Sequence, residues 1–193
     1  MASIDEVGKS NFGYYTPDRQ ELKLVEGWYP AHVTRATVTT PRIIRKTHKA
    51  KIYNIWFSIA DASGYVVKHK GEDLSTTQFA SKEVSNNGLF FFLFPQGDDD
   101  FKENNKGNKE YSEFLKASDI PLEKIVVDGI VRYYLPEVHP DAFVGKPVFA
   151  FIKKSKPFLG KDGSMIAPMQ VQYVRSWSGG EPIKIAEGLR LPI

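Results

Sequence analysis

Residues 27–60, GWYPAHVTRATVTTPRIIRKTHKAKIYNIWFSIA, contain two segments of alternating side chains with a basic connection between them. Apolar side chains at every second position are typical of a half-buried β-strand. In the first segment, residues 28–39, the predicted inner face carries Tyr29, Ala31 and Val33. In the second, residues 51–59, the predicted inner face carries Tyr53, Ile55, Phe57 and Ile59. The sequence therefore predicts two strands here, with Trp56 on the outer face of the second.

The middle of the chain predicts further strands and a hairpin. Residues 65–67 and 74–79 supply strand material, whereas residues 89–94 are apolar throughout and fit either a buried strand or a buried turn of helix. Asp128-Gly129 stands between short runs of β-branched residues. This dipeptide tolerates the positive φ angles of a type I′ turn, so it predicts a β-hairpin.

One helix is predicted between these strands and the last pair. Asn108 is a suitable N-cap residue, and Pro121 ends the segment. The spacing i, i+3, i+4, i+7 gives the helix a buried face of Tyr111, Phe114, Leu115 and Ser118. Residues 146–152 and 169–177 then predict two closing strands, joined by KKSKPFLGKDGSMIAP.

Length and composition limit the class of protein. The chain has 193 residues, no cysteine and a net charge of +3. It is large enough for a hydrophobic core without disulfides, and thiol catalysis and cysteine-ligated metal sites are excluded. The longest apolar run has six residues and the N-terminus lacks the apolar stretch of a signal peptide, so a soluble protein of the reducing cytoplasm is expected.

The basic residues are concentrated in two windows. Residues 27–60 contain six basic and no acidic residues, and residues 142–180 contain six basic residues and one acidic residue. This asymmetry indicates a polyanionic partner, although a solvated surface loop would show the same composition.

The order of the predicted elements fits a mainly β fold, an OB-fold-like five-stranded Greek-key barrel. One helix lies between its third and fourth strands, with an extra hairpin and terminal extensions. In that barrel the loop between strands one and two and the loop between strands four and five flank one binding face. Both loops are basic here, so we expect them to meet at a single groove. The predicted division is an N-terminal arm (1–24), the OB-fold domain (25–180) and a C-terminal tail (181–193).

Four motifs resemble single-stranded DNA-binding proteins encoded by bacteriophages. They are EGWYPAHVTRATV (26–38), YSEFLKASDIP (111–121), FVGKPVFAFI (143–152) and QVQYVRSW (170–177). The resemblance implies a non-enzymatic OB-fold protein that coats and protects unwound DNA in replication and recombination, within the host cytoplasm. One departure is the sequence GLRLPI at the C-terminal end, where many such proteins carry an acidic tail that recruits partners.

The candidate site combines cations for phosphates with rings for bases. Trp56 can contact bases only if the predicted strand phase is correct, because a shift by one residue would turn it into the core. In the strand predicted at residues 146–152, either Phe149 and Phe151 or their neighbours Val148, Ala150 and Ile152 face inward. The candidate nucleic-acid-binding residues are Arg35, Arg42, Arg45, Lys46, Lys49, Lys51, Trp56, Phe149, Phe151, Lys153, Lys154, Lys156, Phe158, Lys161, Tyr173 and Arg175.

Catalytic motifs give no reason to expect an enzyme. Gly8-Lys9-Ser10 ends like a phosphate-binding P-loop, but Ser3 occupies the position of its first glycine. The four histidines lack zinc-ligand spacing, and no GxSxG motif is present, so neither a metal nor another cofactor is expected.

The expected partners are single-stranded DNA and phage replication or recombination proteins, with no membrane, and self-association is left open. Three alternatives remain from the sequence. One is binding of RNA or of a double strand by the same basic face. Another is a phage structural or assembly scaffold that uses this face to interact with an acidic partner. The third is a nuclease or other replication enzyme.

Overall fold

The computed structural model describes residues 22–44, 48–93 and 108–185. Arg45, Lys46, most of the predicted N-terminal arm and the end of the predicted tail lie outside these residues. Within them the chain is mainly β, with one α-helix and short 3-10 turns at Thr76–Phe79 and Pro140–Phe143. The elements are β1 (Gly27–Val38), β2 (Arg42–Ile44), β3 (His48–Ile59), β4 (Val66–His69), β5 (Glu72–Ser75), β6 (Glu83–Ser85), β7 (Leu89–Leu93), α1 (Lys109–Ala117), β8 (Glu123–Val127), β9 (Ile130–Tyr134), β10 (Pro147–Lys154), β11 (Phe158–Leu159), β12 (Met165–Ile166) and β13 (Met169–Arg175).

The largest sheet is antiparallel and has seven strands in the order β13-β10-β1-β3-β2, with β6 and β7 also paired to β3. Three two-stranded sheets, β4-β5, β8-β9 and β11-β12, complete the described part. In the described part of the chain no sheet closes into a barrel, so the predicted five-stranded Greek-key barrel is not confirmed. Within the same residues, one isolated parallel bridge joins Asn86, between β6 and β7, to Val171 on β13.

The predicted phases of β1 and β3 are confirmed. Every residue assigned to an inner face is at most 2% exposed, namely Tyr29, Ala31, Val33, Tyr53, Ile55, Phe57 and Ile59. Trp56 lies on the outer face. A β-bulge between Val33 and Arg35 adds a residue to β1, and beyond it Ala36 continues the inner face. A bulge bends and twists its strand.

The apolar run from residue 89 forms a strand, β7, which pairs with β3 from Tyr53 to Lys49. The helix that follows buries the predicted side chains Tyr111, Phe114, Leu115 and Ser118. Asn108 precedes the helix, but its side chain makes no N-cap hydrogen bond. Instead, its amide accepts from the Phe92 N–H at 2.9 Å and donates to the Phe92 carbonyl at 3.2 Å. Asn108 thus attaches the start of α1 to β7.

The predicted hairpin is confirmed as β8-β9, with Asp128 at φ 53° and Gly129 at φ 75° in its turn. It forms a sheet of its own, and several apolar side chains on it are exposed.

Three buried tyrosines hold irregular segments against the core. The hydroxyls of Tyr29, Tyr53 and Tyr111 donate to the carbonyls of Val25, Val138 and Pro136 at 2.8 to 2.9 Å. Burial raises the pKa of Tyr29 to about 12 and raises the pKa of Tyr53 and Tyr111 as well. All three side chains must therefore stay protonated in the folded state.

We expect the free energy of unfolding to fall above pH 10. An unfolded tyrosine has a pKa of about 10, so between that pH and the raised folded values the native state binds more protons than the unfolded state. The stability that depends on protonated tyrosines is complete below about pH 10 and is lost as the pH rises through the folded pKa values. Each tyrosine contributes a slope of about 1.4 kcal/mol per pH unit.

Urea unfolding between pH 8 and 11.5 measures this slope, and Tyr29→Phe should make it shallower because one titrating group is removed. A slope identical in the parent chain and in Tyr29→Phe would contradict the assignment.

Candidate nucleic-acid interface

A band of aromatic rings crosses the outer face of three neighbouring strands, β1, β10 and β13. The strand register aligns Trp28 with Phe151, and Phe151 with Tyr173. Because Val148, Ala150 and Ile152 face the core, Phe149 and Phe151 are turned outward, which settles the alternative left open by the sequence. We call Trp28, Phe149, Phe151 and Tyr173 the ring face.

The rings of this face contact one another. Trp28 and Phe149 are nearly parallel, with centroids 5.6 Å apart and planes 4° apart. Phe151 lies 5.3 Å from Trp28 and stacks on Tyr173 at 6.2 Å. Tyr173 is the most open of the four, at 57% exposure. Such a surface offers flat apolar area on which a ligand can stack, and the strands need not move to expose it.

Arg175 adds a cation to the ring face. Its guanidinium lies 4.2 Å from the Trp28 ring centroid and 4.8 Å from that of Phe149. Tyr173 and Arg175, two residues apart, share the outer face of β13. An exposed guanidinium held over rings is well placed to bind a phosphate while a base stacks beside it.

The basic connection between β10 and β13, which we call the second basic connection, forms a groove next to the ring face. The groove has a volume of about 740 Å³ and shares Phe151 and Tyr173 with the ring face. We call it the basic groove. The predicted site residues that line it are Phe151, Lys153, Lys154, Lys156, Phe158 and Tyr173.

The polar groups of the basic groove are largely available to a ligand. Lys154 and Lys156 are exposed, and Lys153 approaches Glu26 only at 3.9 Å between two exposed side chains. Gln170 also lines the groove, and its Oε1 is buried without a hydrogen-bond donor among the described residues.

Trp56 and Arg35 form a second cation–π pair, beyond the bulge of β1. They are directly opposite each other on β1 and β3, and the guanidinium is 3.8 Å from the indole centroid. Trp56 is thus outward, as predicted, but its ring is partly covered by Arg35.

The first basic connection, between β1 and β3, is not close to the basic groove. This corrects the expectation that both basic connections meet at one groove. Gly27, at one end of β1, pairs with Ile152 beside the groove, whereas Val38, at the other end, pairs with Tyr53 beside the first connection. A straight strand rises about 3.3 Å per residue, so the ends of the twelve-residue β1 are at most roughly 36 Å apart. The connections are therefore at opposite ends of β1.

The individual cations of the first connection differ in their surroundings. Arg42 and Lys49 are exposed, whereas Lys51 forms an ion pair with Glu137. Lys161 is exposed in the turn between β11 and β12 and does not line the basic groove.

The sequence did not identify a second group of rings at the edge of the ring face. Tyr65 packs against Phe149 at 5.3 Å and accepts a hydrogen bond from Trp177 Nε1 at 2.8 Å. His32 lies 5.4 Å from Trp177. Trp28 and His32 stand at the positions that alternate with the predicted inner face of β1, so the pattern implies that they face outward, but it does not show which rings they contact.

Other kinds of site are not evident in the described ranges. Residues 22–44, 48–93 and 108–185 contain no cluster of three or more metal-ligating side chains. Within the same ranges, no helix has the length and apolar character needed to cross a bilayer. No protein-family model, curated protein or solved structure matches this chain.

Proposed function

We propose that the protein binds single-stranded DNA, without catalysis and largely without regard to sequence, on the ring face and in the basic groove. The observation that carries the proposal is the contact between these two surfaces, which share Phe151 and Tyr173. Lysines follow the phosphates of a strand while its bases stack on rings, a combination found in proteins that bind single strands. In a phage-infected cell this activity would coat and protect unwound DNA.

The topology supports the same proposal, because it agrees with a partly open OB-fold barrel. In chain order, β1, β3, the pair β6 and β7, β10 and β13 would be the five strands, and α1 follows the third. The bridge between Asn86 and Val171 lies where the third and fifth strands of such a barrel come together. The basic groove then belongs to the loop between strands four and five, one of the two loops that bind ligands in this fold.

Fluorescence anisotropy with a labelled oligo(dT) tests the proposal directly. We expect oligo(dT) to bind more tightly than a duplex of the same length, since only unpaired bases can stack on the ring face. An RNA oligonucleotide of matching sequence distinguishes the RNA-binding alternative. Equal affinity for the single strand and the duplex would contradict the proposal. In a nuclease digestion, failure of the protein to protect the single strand would also contradict it.

We expect the affinity for oligo(dT) to fall about 50-fold between 50 and 200 mM salt. Four cations, Lys153, Lys154, Lys156 and Arg175, lie at the interface, and each neutralised phosphate contributes about −0.7 to the slope of log K against log salt. The double variant Lys154→Gln/Lys156→Gln should reduce the magnitude of this slope by about 1.4.

Lys124→Gln is the control for this titration. Lys124 is exposed on β8 and does not line the basic groove, so the salt slope should stay at the parent value. If the groove variant kept the parent slope, the lysines of the groove would not contact phosphates.

A further inference from the structure

The gap between β7 and β13 forms a pocket beside the basic groove. Among the described residues, one backbone bridge, between Asn86 and Val171, joins the two sides there, and α1 lies across the gap. Asn108 fixes one end of α1 to β7, and near the other end the backbone carbonyl of Lys116 accepts a hydrogen bond from the Ser176 hydroxyl, just beyond β13, at 3.5 Å. The resulting pocket has a volume of about 220 Å³, and we call it the seam pocket.

The chemistry of the seam pocket differs from that of the basic groove. Its floor includes the buried rings of Phe57 and Phe114, while Glu110 and Glu113, one helical turn apart, lie at its rim. Glu113 approaches Lys109 at 3.7 Å, and no cation among the described residues pairs with Glu110. Two carboxylates repel a phosphate, so the pocket suits the uncharged, flat and partly polar shape of a nucleobase.

The pocket and the groove are adjacent. Asn87, Gln172 and Tyr173 line both of them. A strand whose phosphates follow the lysines of the groove can therefore place one base in the seam pocket as it passes Tyr173. This arrangement separates the two parts of a nucleotide, because the backbone stays with the cations and the base reaches the carboxylates.

The carboxylates favour one base over the others. An ionised carboxylate only accepts hydrogen bonds. An unpaired guanine presents adjacent N1–H and N2–H donors on its Watson–Crick edge, which match the two oxygens of a carboxylate. Thymine presents one N–H between two carbonyl oxygens, which the carboxylate repels. Cytosine and adenine fall between these cases, because each offers one amino group.

We propose that the seam pocket binds a guanine of a single strand held in the basic groove, through Glu110 and Glu113. This inference rests on the proposed function and adds a base preference at one nucleotide of an otherwise sequence-tolerant site.

Anisotropy titrations with (dT)15 and with the same oligonucleotide carrying a central dG test it. We expect the dG oligonucleotide to bind about tenfold more tightly, the size of discrimination that one good bidentate contact provides. Central dC and dA should give smaller gains. In the double variant Glu110→Gln/Glu113→Gln, the preference for dG should fall below threefold while binding of (dT)15 is not weakened.

Glu123→Gln is the control variant, because Glu123 is exposed on β8 and does not line the seam pocket. It should keep the full preference for dG. Equal binding of both oligonucleotides by the parent chain would overturn the guanine site and leave the proposed function intact. Binding of neither would overturn both. A preference that survives in the double variant would overturn the assignment to these carboxylates.

Discussion

Removing two rings, with Phe151→Ala and Tyr173→Ala in one chain, should weaken binding of oligo(dT) by about 30-fold or more. The two side chains stack on each other at 6.2 Å and form the boundary between the ring face and the basic groove. A base stacked on one ring contributes about 1 to 3 kcal/mol, so two rings contribute at least about 2 kcal/mol. Anisotropy at a fixed salt concentration measures the loss.

The same variant should keep the parent salt slope, because no cation has been removed. Tyr134→Ala is a matched control, since Tyr134 on β9 has the same exposure as Tyr173, 57%, but lies outside the groove. We expect Tyr134→Ala to bind like the parent chain. Equal losses in the control and in the double variant would show that exposed rings in general, and not the ring face, bind the strand.

The largest effect on stability is expected from Phe143→Ala, which should lower the free energy of unfolding by about 3 to 5 kcal/mol. Phe143 is fully buried and packs edge-on against Tyr53 at 5.8 Å and against Phe114 at 4.9 Å. It therefore joins β3 to α1 through the core. The midpoint of thermal unfolding should fall by roughly 6 to 20 °C, and urea unfolding measures the free energy itself.

Phe158→Ala provides the opposite case with the same chemical change. Phe158 is 49% exposed and lines the basic groove. Its removal should change the free energy of unfolding by less than about 0.5 kcal/mol, as for other surface positions, while weakening binding of oligo(dT). If Phe143→Ala cost less than about 1 kcal/mol, the contact between α1 and β3 would not be a close-packed part of the core.

The inner faces of β1 and β3 could be predicted because burial acts on every second residue. A shift by one position would expose the whole set that includes Tyr29 and Tyr53, so the alternation is informative. The bulge after Val33 has no such signal. Two successive residues face outward there, and their types, threonine and arginine, are equally common on a regular outer face.

The ring face and the position of the first basic connection depend on long-range pairing. Trp28 and Phe151 are directly opposite each other although they are far apart in the chain, and no local pattern specifies this register. The composition of the two connections shows that both are basic, but it does not show where in the fold they lie. Their separation follows from the antiparallel pairing of β10 with β1. Likewise, the ion pair of Lys51 with Glu137 requires knowledge of the fold.

The hairpin β8-β9 has a consequence for handling the protein in concentrated solution. Val126, Ile130 and Val131 on it are 49 to 65% exposed, and neither strand has a further neighbour among the described residues. Unpaired backbone edges beside apolar side chains are a template for adhesion between molecules. Lysine in place of Val131 should keep crystallisation or NMR samples monodisperse, since charge on an edge strand prevents such pairing.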